Sequence, residues 1–423
     1  MERRKESPSF VERLRPGTKA AVVVDFDITK TGGAEKSAQT ILRYGGGKMN
    51  WTCISPFDIP SEVLSTTMQL ASNKSGEGSP RDYAITAEAR ENIRTYLEQE
   101  DPSHIVLIQP RGIYMDSIIS SFPEKWLTRT VARWGSELDA PLMRGVQEAE
   151  KDYHTRQQQQ QENQTRQAAI ANKVGINIGI SGAIKKSLIR VGVDPKKIRV
   201  VTNQAGAEIS SDLRANDTKG ERRAEFLQED ALGILVASRV VRHKGLDWLK
   251  ELHAQLQAKH TKITEISPFK IIKITLVGEP RDQRLLQELL AMDDPEDSLV
   301  RFNYAGVKTL QDMNTLYNMY DILFHPSPSE GAPRVIAEAA KAGMTTIGRE
   351  SCEGIQEMVS SAKPHAPIGV LVDSPEAAAD KILDLMNNPL VLKTLQDNAR
   401  SWAESKFDPK HVEEEFWQAI SAA

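Results

Sequence analysis

The chain has 423 residues, a length that predicts two or three globular domains at about 150 residues each. Its 54 Lys and Arg residues against 58 Asp and Glu residues give a net charge of −4, which excludes the basic field of a dedicated nucleic-acid binder. The two cysteines, Cys53 and Cys352, are too few for a disulfide scaffold or a thiolate-rich zinc site, and they are typical of a reducing compartment.

Residues 1–20 are charged rather than apolar, with six basic and three acidic side chains. Such a start is unlike a secretory signal, and no apolar run approaches the roughly 18 residues that a membrane-spanning helix needs. We therefore expect a cytoplasmic protein. The basic excess fits a solvated tail or, as the alternative, a peripheral contact with anionic lipid at the cytosolic face of a membrane.

Short β-branched runs bounded by turn residues recur along the chain, and stretches of helical periodicity lie between them. This alternation predicts βαβ units with parallel sheets, which is an α/β fold class. The first set of predicted strands is Ala20–Phe26, Ile105–Gln109, Thr128–Ala132, Ile176–Ile180 and Ile198–Val201. The second set is Gly233–Ala237, Ile271–Val277, Ile322–Phe324, Thr345–Ile347 and Val370–Val372.

A polar segment, residues 207–230, separates the two sets of strands and predicts two α/β domains, residues 1–210 and 211–398. Doubly wound sheets bind ligands beyond the carboxyl ends of their strands, so a site is expected in a cleft between the domains. Residues 155–167, TRQQQQQENQTRQ, depart from the pattern because they contain no apolar residue. We expect them to form an exposed helix or a disordered insertion.

The segment His325–Gly343, HPSPSEGAPRVIAEAAKAG, follows a predicted strand directly. Pro333 suits the start of a helix and Gly343 its end, which places Glu330 on a loop and Glu338 on the helix. A helix N-terminus suits a phosphate, and carboxylates beside it suit the hydroxyls of a sugar. A plain helix start is an equal alternative, since the helix dipole favours an acidic residue there without any ligand.

Two basic residues, Arg239 and Lys244, lie in the loop SRVVRHKGLDWL between a predicted strand and a helix predicted at residues 245–257. A forked guanidinium and a compact ammonium can together clamp a diphosphate. The alternative is a solvated basic loop.

Two paired glycines, Gly32 and Gly33, precede a helix predicted from Ala34, and they permit either a close backbone approach to a ligand or a tight turn. The dinucleotide pattern G-x-G-x-x-G is absent. We interpret Asp25 and Asp27 as turn residues, with divalent-metal binding as the alternative. No histidine spacing indicates a metal site, so neither a metal nor another cofactor is expected.

Five segments, taken in order, resemble the retaining glycosyltransferases of family four. They are ILVASRVVRHKGLDWL, ITLVGEP, VRFNYAG, LYNMYDILFHPSPSEGAPRVIAEAAKAG with its Glu-seven-residue-Glu spacing, and GVLVDSPEAAADKILDLMNNP. The resemblance is fainter in the N-terminal half, where TGGAEKSAQTIL and GISGAIKKSLIRVGVDPKKIRVVTN carry it. It implies the GT-B fold, with two Rossmann-like domains facing across a cleft, and a C-terminal helix, residues 399–423, that returns to the N-terminal domain.

The resemblance also implies a hexosyltransferase of glycan biosynthesis that uses a nucleotide diphosphate sugar, with UDP or GDP as the expected nucleotide. The acceptor would be a hydroxyl of a glycan, a lipid-linked molecule or a small molecule. Transfer would retain the anomeric configuration and need no metal.

By the same resemblance, Arg239 and Lys244 would neutralise the donor diphosphate. Glu338 would bind the ribose and Glu330 the transferred sugar, so that Glu330, Arg239 and Lys244 are the expected catalytic residues. The backbone groups expected beside the donor are those of Gly32, Gly33, Gly331, Ala332 and Pro333.

One stretch departs from the family, because residues 131–139, VARWGSELD, occupy the place where many members carry a histidine that contacts the donor sugar. The side chains offered there are those of Arg133, Trp134, Ser136 and Glu137. This departure motivates one alternative to the transferase, a catalytically silent nucleotide-sugar-binding subunit. A second alternative is a nucleotide-sugar epimerase of the same fold.

Overall fold

The chain divides into two compact units, residues 1–204 with 409–423 and residues 205–408. A computed structural model describes residues 14–29, 33–57, 59, 67–69, 83–110, 112–136, 138, 150–204, 230–259, 267–292, 298, 300–360 and 366–421. Most of the polar segment that predicted the domain boundary lies outside these ranges. Elements are numbered in chain order within them.

The first unit contains a parallel sheet with the strand order β3-β2-β1-β4-β5-β6-β7 across its described residues. The strands are β1 Thr18–Val23, β2 Met49–Ser55, β3 Thr67–Gln69, β4 His104–Ile108, β5 Thr130–Trp134, β6 Ile176–Gly179 and β7 Ile198–Val200. The helices that follow them are α1 Gly33–Ile41, α2 Ala87–Glu100, α3 Gly112–Ile119, α4 Glu124–Leu127, α5 Glu150–Lys173 and α6 Gly182–Arg190. Successive residues of β1 are fully buried, as expected for a parallel sheet that is covered on both faces.

The second unit contains a parallel sheet with the order β10-β9-β8-β11-β12-β13 across its described residues. Its strands are β8 Ala231–Ala237, β9 Ile271–Val277, β10 Val300–Tyr304, β11 Ile322–His325, β12 Thr345–Arg349 and β13 Gly369–Val372. Its helices are α7 Trp248–Lys259, α8 Gln283–Leu290, α9 Leu310–Met319, α10 Arg334–Lys341, α11 Glu353–Ser360, α12 Pro375–Asn387 and α13 Pro389–Lys406. Separate apolar clusters fill the two faces of this sheet.

The last helix, α14 Pro409–Ser421, packs in the core of the first unit. Phe416 lies 5.1 Å from Tyr44 between ring centroids, and Trp417 stacks on Trp51 at 6.3 Å. The return to the first unit therefore starts at Pro409, whereas the prediction from the sequence was residue 399. The reason is that residues 399–408 complete α13 and its end, with three apolar side chains, Ala399, Ala403 and Phe407, buried in the second unit.

All ten predicted strands are present, and three further strands, β2, β3 and β10, were not predicted. Strand β2 carries polar side chains at Asn50, Thr52 and Ser55, and β10 is an edge strand with polar Arg301 and Asn303, so neither reads as a continuous apolar run. The glutamine-rich stretch lies within α5 and is mostly exposed, which selects the helix from the two expectations. No helix in the described ranges combines the length and apolarity that bilayer crossing requires.

Candidate functional site

The strand order of the second unit reverses between β8 and β11, which pair directly through Ile322 and Ile234. Because the strands are parallel, the loops after β8 and β11 leave the same edge of the sheet. These two loops, residues 238–247 and 326–333, carry most of the predicted donor-site residues. The topological switch point is also where doubly wound sheets bind their ligands.

A glycine brings the two loops into contact. Gly245 has φ +69°, and a Cβ atom there would lie 2.2 Å from the carbonyl oxygen of Pro326. Any other residue would strain the backbone and clash with the neighbouring loop. This contact places the preceding residue, Lys244, opposite Glu330.

Glu330 is the centre of a buried charge cluster. The Lys244 ammonium lies 2.6 Å from its Oε1, and Nε2 of His325 lies 3.2 Å from the same oxygen. The side chains of Lys244 and Glu330 are only 18% and 14% exposed, and that of His325 is 5% exposed. An ionised carboxylate can only accept hydrogen bonds. Nε2 of His325 is therefore the protonated ring nitrogen, and it donates a hydrogen bond to Glu330.

Burial and the hydrogen-bonding partners of Glu330 shift its pKa in opposite directions. Burial raises this pKa, but the hydrogen bond from His325 and the positive charge of Lys244 outweigh burial and lower it to about 2. Glu330 is therefore a carboxylate at neutral pH and can accept a hydroxyl hydrogen from a ligand.

The other basic residues of the first loop divide into two groups. Arg242 turns away from Glu330 and donates to Glu288 over 2.8 Å, whereas Arg239 is exposed. Burial, and then the charges of Lys244 and Arg239, lower the pKa of His243 and disfavour its charged form. Arg239 and Lys244 therefore remain the candidate cations of this loop, and their contact with a diphosphate stays a prediction.

The second carboxylate, Glu338, lies on α10 and is 9% exposed. The Tyr317 hydroxyl on α9 donates to its Oε2 over 3.0 Å, and the Arg334 guanidinium lies 3.7 Å from its Oε1. Burial, and then the charge of Glu338, raise the pKa of Tyr317 well above its ordinary value, so this phenol remains a donor. As predicted, Glu330 is on a loop and Glu338 on the helix.

The segment Gly331-Ala332-Pro333 leads into α10, with Pro333 immediately before the first helical residue. Helix α11 packs tightly against its start, because a Cβ atom on Gly354 would lie 2.0 Å from the carbonyl oxygen of Glu330. The buried Cys352 thiol is 4.0 Å from that same oxygen. The loop is thus held from both sides, by α11 and by the loop after β8.

The candidate residues of the first unit are placed differently. Gly33 begins α1, while Gly32 lies outside the described residues. Asp27 accepts hydrogen bonds from both the backbone N–H and the hydroxyl of Thr29, at 3.0 and 2.6 Å, which is the geometry of a turn. No group of three or more His, Cys, Asp or Glu side chains within the described ranges is arranged to hold a metal ion.

The stretch that departs from the family pattern points into the first unit. Arg133 is buried and donates to Oδ1 of Asn203 over 2.8 Å, and Trp134 donates to Oδ1 of Asn177 over 2.9 Å. The Trp134 bond therefore links the neighbouring strands β5 and β6, and the Arg133 bond joins β5 to the segment after β7. Glu137 lies outside the described residues.

Two residues of the site were missed by the sequence analysis. His325 precedes Glu330 by five residues at the end of β11, and Tyr317 reaches Glu338 from a separate helix. The position of His325 at a strand end was readable as a signal, but nothing in the sequence pairs Tyr317 with Glu338.

The second unit also contains a cavity of about 360 Å³ between β9, β10 and α9. Polar side chains of Lys273, Asn303 and Lys308 line it. One of its walls is Tyr304, whose hydroxyl donates to the carbonyl oxygen of Gly278. A Cβ atom on Gly278 would lie 1.9 Å from the carbonyl oxygen of Ser238, so this wall reaches the loop of Arg239.

Residues 217–402 match the family model for glycosyl transferases group 1. The chain is similar to the UDP-N-acetylglucosamine-peptide N-acetylglucosaminyltransferase GtfA subunit of Streptococcus pneumoniae, with 24% identity over 163 residues. That match covers 38% of this chain and 28% of the GtfA subunit.

Two solved structures share the architecture of the whole chain. HepE of Anabaena, solved in complex with UDP-glucose, has a TM-score of 0.67 and 16% identity, and the match covers 96% of this chain and 100% of HepE. WaaG, a glycosyltransferase involved in lipopolysaccharide biosynthesis, has a TM-score of 0.61 and 15% identity, with coverage of 96% and 100%. The chain therefore has the GT-B fold, with two Rossmann-like domains.

Proposed function

We propose that this protein is a glycosyltransferase that takes a hexose-type sugar from a nucleotide diphosphate sugar and transfers it to a hydroxyl acceptor with retention of anomeric configuration. One observation carries the proposal: at the switch point of one sheet, Arg239, Lys244, Glu330 and Glu338 lie on adjoining loops and the helix that follows. That set combines cations for a diphosphate with carboxylates for sugar hydroxyls.

The leaving group of such a transfer is a nucleoside diphosphate, whose negative charge grows as the glycosidic C–O bond breaks. Arg239 and Lys244 are positioned to neutralise that charge, and backbone N–H groups at the start of α10 add a partial positive charge. Fixed donors of this kind stabilise the transition state more than the ground state, which is the requirement for catalysis. The reaction then needs no metal ion, because protein cations supply the charge.

The two carboxylates suit two different sugars. Glu330 is ionised and sits beside Lys244, so it is assigned to a hydroxyl of the transferred sugar. Glu338, one helix turn and more into α10, is assigned to the ribose hydroxyls. The cavity beside Tyr304 adjoins the loop of Arg239 and is assigned to the nucleobase side of the donor.

UDP is the first nucleotide to test, because HepE was solved with UDP-glucose and the GtfA subunit is named for a UDP-sugar. The acceptor is proposed to be a glycan, a lipid-linked molecule or a small molecule. The close approach of the Gly32 and Gly33 backbone to the donor remains a prediction from the sequence.

The test is a shift of unfolding temperature and a transfer assay with UDP-, GDP-, ADP- and dTDP-sugars. A ligand that binds only the folded state stabilises it by RT ln(1 + [L]/Kd), so the unfolding temperature rises with the ratio of ligand concentration to Kd. We expect one nucleotide to stabilise wild type, and we expect Arg239→Ala to abolish that shift and lower kcat by about 100-fold. Asp397→Asn, on a surface ion pair of α13, is the matched control.

Three outcomes would contradict the proposal in different ways. A chain that no nucleotide sugar stabilises has no donor site. A chain that binds the donor and turns nothing over is a silent binding subunit, and one that returns an altered nucleotide sugar without an acceptor is an epimerase.

A further inference from the structure

Both hydrogen bonds to the Glu330 carboxylate converge on one oxygen. Lys244 and His325 each donate to Oε1, at 2.6 and 3.2 Å. Within the described part of the chain, Oε2 accepts no hydrogen bond. The two oxygens of this carboxylate are therefore unlike, since one is held by the protein and the other can accept a ligand hydroxyl.

The two donors differ in how firmly the fold holds them. His325 is the last residue of β11, where it pairs with Gly348 of β12, and its ring is 5% exposed. Lys244 ends a short 3-10 turn on a loop and reaches Glu330 through a flexible side chain. Under the proposed function, Lys244 must also contact the donor diphosphate, and any movement toward phosphate weakens its bond to Glu330.

Without a second donor, burial would then raise the pKa of Glu330, because a buried carboxyl group disfavours its charged form. A protonated carboxyl group carries no charge, and one of its oxygens becomes a hydrogen-bond donor. A second donor that does not depend on the diphosphate would prevent this loss.

Resting on the proposed function, we infer that His325 is a positioning residue that holds Glu330 ionised through Oε1 and directs Oε2 to a hydroxyl of the transferred sugar while Lys244 contacts the diphosphate. The substrate class that follows is a nucleotide sugar with a free hydroxyl facing Glu330. Replacing that hydroxyl by hydrogen removes the group that donates a hydrogen bond to Oε2.

Other charged and titratable groups lie on the elements packed against Glu330. The loop after β8 contributes Lys244, His243 and Arg239, and the start of α11 contributes Cys352 and Glu353. Of these groups, only Lys244 donates to the carboxylate within the described residues. The acid side of a pH profile therefore reports on Glu330 when His325 alone is changed.

The experiment compares His325→Phe, which removes the donor and keeps a ring, with His325→Gln, whose amide N–H can replace Nε2. We measure kcat against pH at saturating donor sugar, because kcat reports ionisation in the donor complex, together with the Kd of the free nucleoside diphosphate. For His325→Phe we expect kcat to fall by about tenfold or more at pH 7 and the acid limb of the kcat profile to move up by about one pH unit or more. The Kd of the nucleoside diphosphate, which lacks the sugar, should stay within about twofold.

His325→Gln should recover most of the activity and return the acid limb toward its wild-type position. His253→Phe, which changes another buried histidine of the same unit on α7, is the control for lost packing and should leave the acid limb in place. A His325→Phe enzyme with an unmoved acid limb, or one that loses nucleoside diphosphate affinity as steeply as activity, would overturn the inference. Failure of wild type to bind any nucleotide sugar would instead overturn the proposed function, and the inference with it.

Discussion

The Tyr317 hydroxyl donates a 3.0 Å hydrogen bond to Oε2 of Glu338 inside the second unit. The phenol comes from α9 and the carboxylate from α10, so the bond fixes one helix against the other at the carboxylate assigned to the ribose. Tyr317 is 2% exposed, so water can take the place of its hydroxyl beside Glu338 only if the structure opens locally.

Replacing Tyr317 by Phe is expected to weaken nucleoside diphosphate binding by about five- to tenfold and to lower stability by about 1 kcal/mol. The physical reason is that Glu338 loses the donor that orients it. Isothermal titration with the nucleoside diphosphate and a thermal melt measure the two effects. The matched control is Tyr96→Phe, which removes a hydroxyl that is hydrogen-bonded to Thr52 in the first unit and leaves Glu338 untouched. Equal losses of affinity in both variants would contradict the role given to Tyr317.

The pKa of Glu330, lowered to about 2 from an ordinary 4.5, predicts a stability window in pH. A carboxylate with a lowered folded-state pKa stabilises the fold fully above about pH 4.5 and loses that contribution as the pH falls toward 2. The difference in unfolding temperature between wild type and Glu330→Gln should therefore be largest near neutral pH and shrink below pH 4.5. Thermal melts from pH 7 to pH 3 provide the measurement.

Asp397→Asn serves as the comparison for this pH series, because its ion pair with Lys393 is exposed and contributes little. Its difference from wild type should stay small throughout. A Glu330→Gln difference that is constant with pH would show that the cluster does not lower the pKa of Glu330.

Gly245→Ala is expected to destabilise the second unit by about 3 kcal/mol, which combines left-handed backbone strain with a clash against Pro326. Activity should fall as well, since Lys244 is then displaced from Glu330. Gly306→Ala isolates the first effect, because its φ of +73° is similar and no atom lies within 4 Å of the added Cβ. It should lose only about 1 kcal/mol. Urea titration of both variants measures the loss of unfolding free energy. Equal losses in the two variants would contradict the contact between Gly245 and Pro326.

Treatment with a chelator is expected to leave binding of the nucleotide sugar and its turnover unchanged. In the proposed mechanism, Arg239 and Lys244 supply the positive charge that a divalent ion supplies in metal-dependent transferases. The rate with excess EDTA, compared with the rate after magnesium or manganese is restored, measures this. A rate that collapses with EDTA and returns with metal would shift attention to Asp25 and Asp27.

Local sequence signals were sufficient for much of the architecture. Apolar runs and turn residues located both sheets, and Pro333 with Gly343 placed Glu330 on a loop and Glu338 on the helix. Strands of mixed polarity were not predicted. An edge strand such as β10 pairs with only one neighbouring strand, so its residues need not all be apolar. The start of the returning C-terminal helix was predicted at residue 399 and not at Pro409, because distant apolar partners decide which core a helix joins.

The sequence by itself therefore determined which residue types stand at the switch point of the second sheet, since strand ends and helix starts are local properties. Only the tertiary structure decided which of those side chains meet. The pairing of Lys244 with Glu330 spans 86 positions and depends on the contact between Gly245 and Pro326. The hydrogen bonds of His325 and Tyr317 depend likewise on packing, because a lowered pKa or an oriented carboxylate arises from distances between atoms that the order of residues does not contain.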